Sequence, residues 1–167
     1  MTGPELARLQ WKGYYPGAVG KITELHAVYY YENWGLDVSF ETQVGKEISE
    51  FIVEFQEARD GLWIVTSNEA FAGCIIIDGS KIDTKSARLR WFIVAPEFQG
   101  RGIGRELLNR AVAFCREAGY RNIYLWTFKG LAVARALYES VGFRFSEEIE
   151  ARQWGRELAA QKFELDL

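Results

Sequence analysis

The stretch APEFQGRGIGRELL, residues 95–108, decides how this chain is read. Gly100, Gly102 and Gly104 fall within five positions, with Gln99 and Arg101 beside them. Glycine is a weak helix former. Yet Leu107, Leu108, Ala111, Val112, Cys115 and Ala118 follow at helical spacing. An apolar run, RLRWFIV at residues 88–94, comes before. The order is strand, glycine-rich turn, helix. The first turn of a helix has unpaired N–H groups and a partial positive charge. An anion placed there is held by backbone alone. Glycine lets the backbone come close, because no Cβ stands in the way. Arg101 adds a charge-assisted bond to the same anion. The stretch predicts a phosphate-binding turn.

Two common phosphate loops do not fit. The Walker loop needs G-x-x-x-x-G-K-[ST], which is missing here. The dinucleotide fingerprint G-x-G-x-x-G fails at its sixth position, where Arg105 or Leu107 stands. The pattern [RQ]-x-x-G-x-[GA] is met in full by Gln99, Gly102 and Gly104.

Outward from this centre the chain alternates strands and helices. Residues 9–14 read as a strand and YPGAVG as a turn. Residues 18–35 read as a helix, with Ile22, Leu25, Val28 and Tyr29 at helical spacing and Gly35 as its stop. Residues 47–58 read as a second helix, with Ile48, Phe51, Ile52 and Phe55 on one stripe. Residues 61–68 and 70–78 read as a hairpin turning at Asn68 and Glu69. A polar loop, DGSKIDTKS, leads into the strand of residues 87–94. A helix spans 102–118 and ends at Gly119; a strand spans 122–128; a helix spans 131–141 and ends at Gly142. Residues 143–149 and 161–167 read as the last two strands, with EARQWGREL between them. The expectation is one mixed α/β domain over residues 1–167, with an antiparallel front half and a βαβ unit behind it.

Composition narrows the function. A chain of 167 residues, 49% hydrophobic, builds a full core without staples. A net charge of −3 excludes a general nucleic-acid binder, which needs a basic face. Cys74 and Cys115 lie in separate apolar segments and read as buried free thiols of a cytoplasmic protein. One histidine and two distant cysteines offer no metal-ligand spacing. No apolar stretch is long enough to span a membrane. The N-terminus lacks a basic region followed by an apolar core, so no signal peptide is expected.

The loop has a wider context. VAPEFQ at residues 94–99 leads into QGRGIG, and ARALYESVGF at residues 134–143 follows the next strand, with Tyr138, Gly142 and Phe143 in place. In these residues the chain resembles the GNAT N-acetyltransferase family, tightly over residues 88–143. A second resemblance joins residues 16–37 and 154–167 to the acetyltransferase half of bacterial proteins fused to a MarR-type DNA-binding domain.

The resemblance implies the GNAT fold: a central mixed, mostly antiparallel sheet of about seven strands with helices on both faces. It implies acetyl transfer from acetyl-CoA to a primary amine of a small molecule, directly, in a ternary complex without a metal. Phe92, Ile93 and Val94 would pair with the pantetheine arm through their backbone. Gln99, Gly100, Arg101, Gly102, Ile103 and Gly104 would take the pyrophosphate, and Arg135 would add a cofactor contact. Tyr138 would protonate the leaving thiolate. On spacing alone Tyr138 equally reads as a core aromatic beside Val133, Leu137 and Val141.

The family's strand glutamate, a base acting through water, is missing from RLRWFIV. Asp78, Glu97, His26, water and backbone carbonyls all stay open as the base. Tyr30, Trp34 and Trp154 could wall an acceptor pocket, with Glu32 or Asp37 attracting an ammonium group. The plainer reading makes those aromatics core and those acids a solvated face. A domain that binds acetyl-CoA without turnover is the competing function, which the missing glutamate favours. A homodimer is compatible with the fold.

Overall fold

The computed structural model describes residues 8–80 and 85–167. The first seven residues and residues 81–84 lie outside them, and with them most of the expected leader-free N-terminus and the middle of the polar loop. Seven strands form one sheet: β1 (Leu9–Lys12), β2 (Gly61–Ser67), β3 (Ala70–Asp78), β4 (Ser86–Val94), β5 (Asn122–Phe128), β6 (Arg144–Gln153) and β7 (Arg156–Asp166). Their order is β1-β2-β3-β4-β5-β7-β6, antiparallel except for β4 beside β5. The helices are α1 (Ala18–Trp34), α2 (Val38–Val53), α3 (Ile103–Glu117) and α4 (Ala132–Ser140).

Two cores flank the sheet. On one face α1 and α2 pack Ile22, Phe40, Val44 and Ile48 against Ile64, Ile76 and Ile93. On the other, α3 and α4 pack Leu107, Leu108, Ala111 and Tyr138 against Ile75, Leu89 and Ile123. The mixed sheet with helices on both faces is as expected.

Three boundaries differ. The second helix begins at Val38 and ends at Val53, not at 47 and 58. Asp37 caps it by accepting from the Ser39 N–H at 2.9 Å. Its buried stripe is Phe40, Val44, Ile48 and Phe51, while Phe55 lies past the end. The segment EARQWGREL is not a connection but the tip of a long hairpin. Trp154 and Gly155, at φ 53° and 84°, make its turn. β6 and β7 pair from Arg144↔Glu164 to Gln153↔Arg156. Asn68 and Glu69 make the expected β2–β3 turn at φ 48° and 67°.

The third departure lies in β4. Strict alternation would put residues 88, 90, 92 and 94 on one face. Instead Trp91 takes φ 45°, and the β3–β4 register shifts there, from Cys74↔Ile93 to Ile76↔Arg90. This is a bulge. It turns Arg90, Trp91 and Ile93 toward α1 and α2, and Leu89, Phe92 and Val94 toward α3 and α4.

Candidate functional site

β4 and β5 pair in parallel only at Ser86↔Asn122, Ala87↔Ile123 and Arg88↔Tyr124. Beyond that they splay. A cleft of about 170 Å³ opens there, lined by β4 from Arg88 to Phe92, β5 from Leu125 to Phe128, and side chains of α1, α2 and α4.

On the α3 side the glycine turn forms as expected. Gly100 and Gly102 sit at φ 77° and 81°, where a side chain is strained, with open space beside both. Gly102 caps α3 with no side-chain partner. The first helical bond runs from Glu106 N–H to the Gly102 carbonyl at 3.1 Å. The N–H groups of residues 103–105 are left for a ligand. These donors, with Arg101 exposed beside them, fit a pyrophosphate, and the β4 edge left unpaired by β5 fits an extended arm.

Other loop residues do different work. Gln99 donates its side-chain amide to the Val94 carbonyl at 3.1 Å and its backbone N–H to Pro96, so it shapes the turn. Ile103 buries its side chain and offers only backbone. A Cβ on Gly104 would meet Leu137 at 3.3 Å and Phe92 at 3.5 Å, so this glycine lets α3 sit close to α4. Arg135 pairs with Glu139 at 2.8 Å and lies over the rings of Phe145 and Phe163, on the β6–β7 side.

Tyr138 lies between the core and the cleft. It is 5% exposed and packs on Phe92, Phe143 and Phe163, with ring centroids 5.8–6.3 Å apart. It also lines the cleft. Burial pushes its phenol pKa well above the usual value, so the hydroxyl keeps its proton.

The other wall of the cleft lies toward α1 and α2. The Asp37 N–H donates to the Trp154 carbonyl at 3.1 Å, and Trp154 Nε1 donates to Gln43 at 2.9 Å. The α1–α2 corner and the β6–β7 tip are thus tied together. Tyr30 and Trp154 line the cleft with Phe40 and Phe128; Trp34 lies behind, tilted against Phe128. His26 also lines it. Its Nδ1 lies 2.8 Å from the Ile22 carbonyl, which can only accept, so Nδ1 carries the proton and Nε2 is left as an acceptor. Burial lowers its pKa to about 4, so the ring is neutral at pH 7.

The family model for "Acetyltransferase (GNAT) family" matches residues 20–143. The chain belongs to the GNAT family. It is similar to human N-acetyltransferase 8B, 24% identical over 124 residues, or 72% of this chain and 53% of that protein. The chain spans about half or less of the length of the first curated relatives it matches. The yncA protein of Salmonella typhimurium, solved with its cofactor acetyl-CoA, has TM-score 0.70 at 17% identity, covering 95% of this chain and 94% of that one. A spermidine N-acetyltransferase chimera from Vibrio cholerae and human sequences has TM-score 0.71 at 22% identity, covering 95% of each. At these identities the structural likeness shows the GNAT fold alone.

The acids of this GNAT chain are arranged differently from the sequence expectation. Burial works to raise the Asp78 pKa, but hydrogen bonds from Ser80, and after them the Arg90 guanidinium at 3.2 Å, hold it below the usual value. Glu97 is exposed beyond the end of β4, Asp37 is spent as a helix cap, and Glu32 is exposed; none of these lines the cleft. The carboxylate that does is Glu47, in ion pair with Arg90 at 2.6 Å. Sequence reasoning missed it because it set Glu47 at the start of its helix. A helix begun at Asp37 would have put Gln43, Val44 and Glu47 on one face. Among the described residues no cluster is placed to hold a metal, and no helix is long and apolar enough to cross a membrane.

Proposed function

We propose that this chain is an acetyl-CoA-dependent N-acetyltransferase acting on a primary amine of a small molecule, by direct transfer with both substrates bound. The observation that carries this reading is the place of Tyr138. It stands where β4 and β5 part, between the glycine turn's side of the sheet and the aromatic acceptor cavity.

Acetyl-CoA supplies an activated thioester. The N–H groups at the start of α3, with Arg101, hold its pyrophosphate, and the open edge of β4 aligns its arm. As the amine nitrogen bonds to the carbonyl carbon and the C–S bond breaks, Tyr138 gives its hydroxyl proton to sulfur. Glu47, the carboxylate lining the cleft among the described residues, takes the amine's proton through water. The aromatic walls and small volume suit a compact acceptor better than a peptide.

The kinship with MarR-fused acetyltransferases belongs to this proposal, since the two segments that carry it form the tied α1 and β6–β7 walls. So does a cytoplasmic setting, where two buried thiols stay reduced. The test is thiol release from acetyl-CoA against polyamines, amino acids, aminoglycosides, arylamines and lysine peptides. Release with one class supports transfer. Tight acetyl-CoA binding without release from any class points to a domain that binds without turnover.

A further inference from the structure

Two arginines stand two residues apart on the acceptor face of β4, and their circumstances differ. Arg90 is neutralised. It pairs with Glu47 and Asp78 and lies over the Trp91 ring at 4.0 Å. Arg88 lines the same cleft and has no hydrogen bond or ion pair among the described residues. Its Nε is buried without a partner. A guanidinium has five N–H donors in a planar fork, and burying the Nε donor without a partner is costly. Glu47 and Asp78 are near enough to stabilise its charge, but both bond to Arg90 instead. A cation kept half-buried and unbonded at the floor of a substrate cleft is suited to an anion that arrives with the substrate.

We propose that Arg88 receives a carboxylate of the acceptor, so that the acceptor is a compact amine carrying an acid group, of the amino-acid type. This rests on the transferase reading above. Arg88 lies three residues before the Trp91 bulge, about 10 Å of extended strand. A carboxylate on its fork therefore leaves the amine of a small molecule in the upper cleft, among Tyr138, Phe92 and Glu47. A polyamine would meet a second cation at the floor instead, at a cost in a site of low dielectric.

The experiment uses matched acceptors: phenylalanine, phenylalaninamide and phenethylamine, the corresponding leucine series, and spermidine. Each is assayed by thiol release and by calorimetry, beside a titration with acetyl-CoA. The acids should be preferred by at least about 10-fold in kcat/KM. Arg88→Gln should raise KM for the acids about 10- to 100-fold. It should leave the amides, the amines and the acetyl-CoA affinity unchanged, and Arg88→Lys should recover part of the loss. Equal use of acids and their uncharged partners by the native protein overturns the proposal and leaves the transferase reading standing. So does an Arg88→Gln loss that is the same for all acceptors. If acetyl-CoA binds but no thiol is released, calorimetry decides. Acids that bind the native protein and not Arg88→Gln uphold the Arg88 site while the transfer reading falls. Acids that bind neither overturn it. Failure to bind acetyl-CoA overturns both.

Discussion

Arg88 stands opposite Tyr124, and this is the last pair that β4 and β5 share. The cleft and the open edge of β4 depend on that early parting. Had the two strands stayed paired to Val94, their backbone groups would have been consumed by each other. No edge would be left for an extended arm and no cleft between the two cores. The Trp91 bulge completes the arrangement by sending Phe92 to the α3–α4 face and Trp91 to the α1–α2 face.

Tyr138→Phe keeps the ring contacts with Phe92, Phe143 and Phe163 and removes the only proton that this residue can donate. Turnover should fall about 10²-fold or more, with acetyl-CoA affinity nearly unchanged. Steady-state rates and calorimetry on the same preparation check this. An unchanged rate would make Tyr138 a core aromatic only.

Gly102→Val forces a β-branched residue to φ 81° at the cap of α3. The backbone strain is on the order of 1–2 kcal/mol, which a chain with two full cores should survive. Acetyl-CoA affinity should fall by about 10-fold or more, because residues 103–105 no longer present their N–H groups together. Circular dichroism separates loss of fold from loss of binding. Retained affinity in the folded variant would remove the pyrophosphate from this turn.

Glu47→Gln keeps the shape of the cleft wall and removes the carboxylate that faces it. The rate at neutral pH should drop about 10- to 100-fold, while acetyl-CoA binds as before. The alkaline limb of the rate should rise with pH as the free amine becomes available without help. A variant with native kcat and a changed melting temperature would reduce Glu47 to a partner of Arg90.

His26 gives a stability signature with a definite sign. Its pKa is about 4 in the folded chain, because burial disfavours the charged ring, against an ordinary value of 6.5. Between those values the unfolded chain binds the extra proton, so stability falls as pH drops from about 6.5 to about 4 and this loss levels off below. His26→Gln should flatten the melting temperature over that window and leave its shape above pH 7 alone. An identical slope in the variant would show that other groups carry the acid sensitivity.

Much of this was legible in the chain. Local signals depend on a few neighbouring residues, and many of them read true, although Val28 of the first expected stripe is exposed and Phe55 of the second lies past its helix. Gly35 and Gly102 take left-handed angles at helix ends, Asn68 and Glu69 turn a hairpin, and the stripe from Leu107 to Cys115 is buried. The pattern of Gln99, Gly102 and Gly104 placed the turn at the start of α3, although the Gln99 side chain proved to brace β4.

What could not be read was set by partners distant in sequence. The second helix begins at Val38 because the Asp37 carboxylate caps it, while the β6–β7 tip holds the corner through Trp154. Glu47 faces the cleft as a consequence. The bulge at Trp91 carries no composition signal; RLRWFIV alternates as well without it. The unequal fates of Arg88 and Arg90 follow from which of them meets Glu47 and Asp78. Backbone angle and helical period are properties of adjacent residues, so the glycines and apolar stripes announce them. The parting of two strands and the pairing of a charge arise only when segments 12 to 43 residues apart are brought together, and no short stretch of chain contains that information.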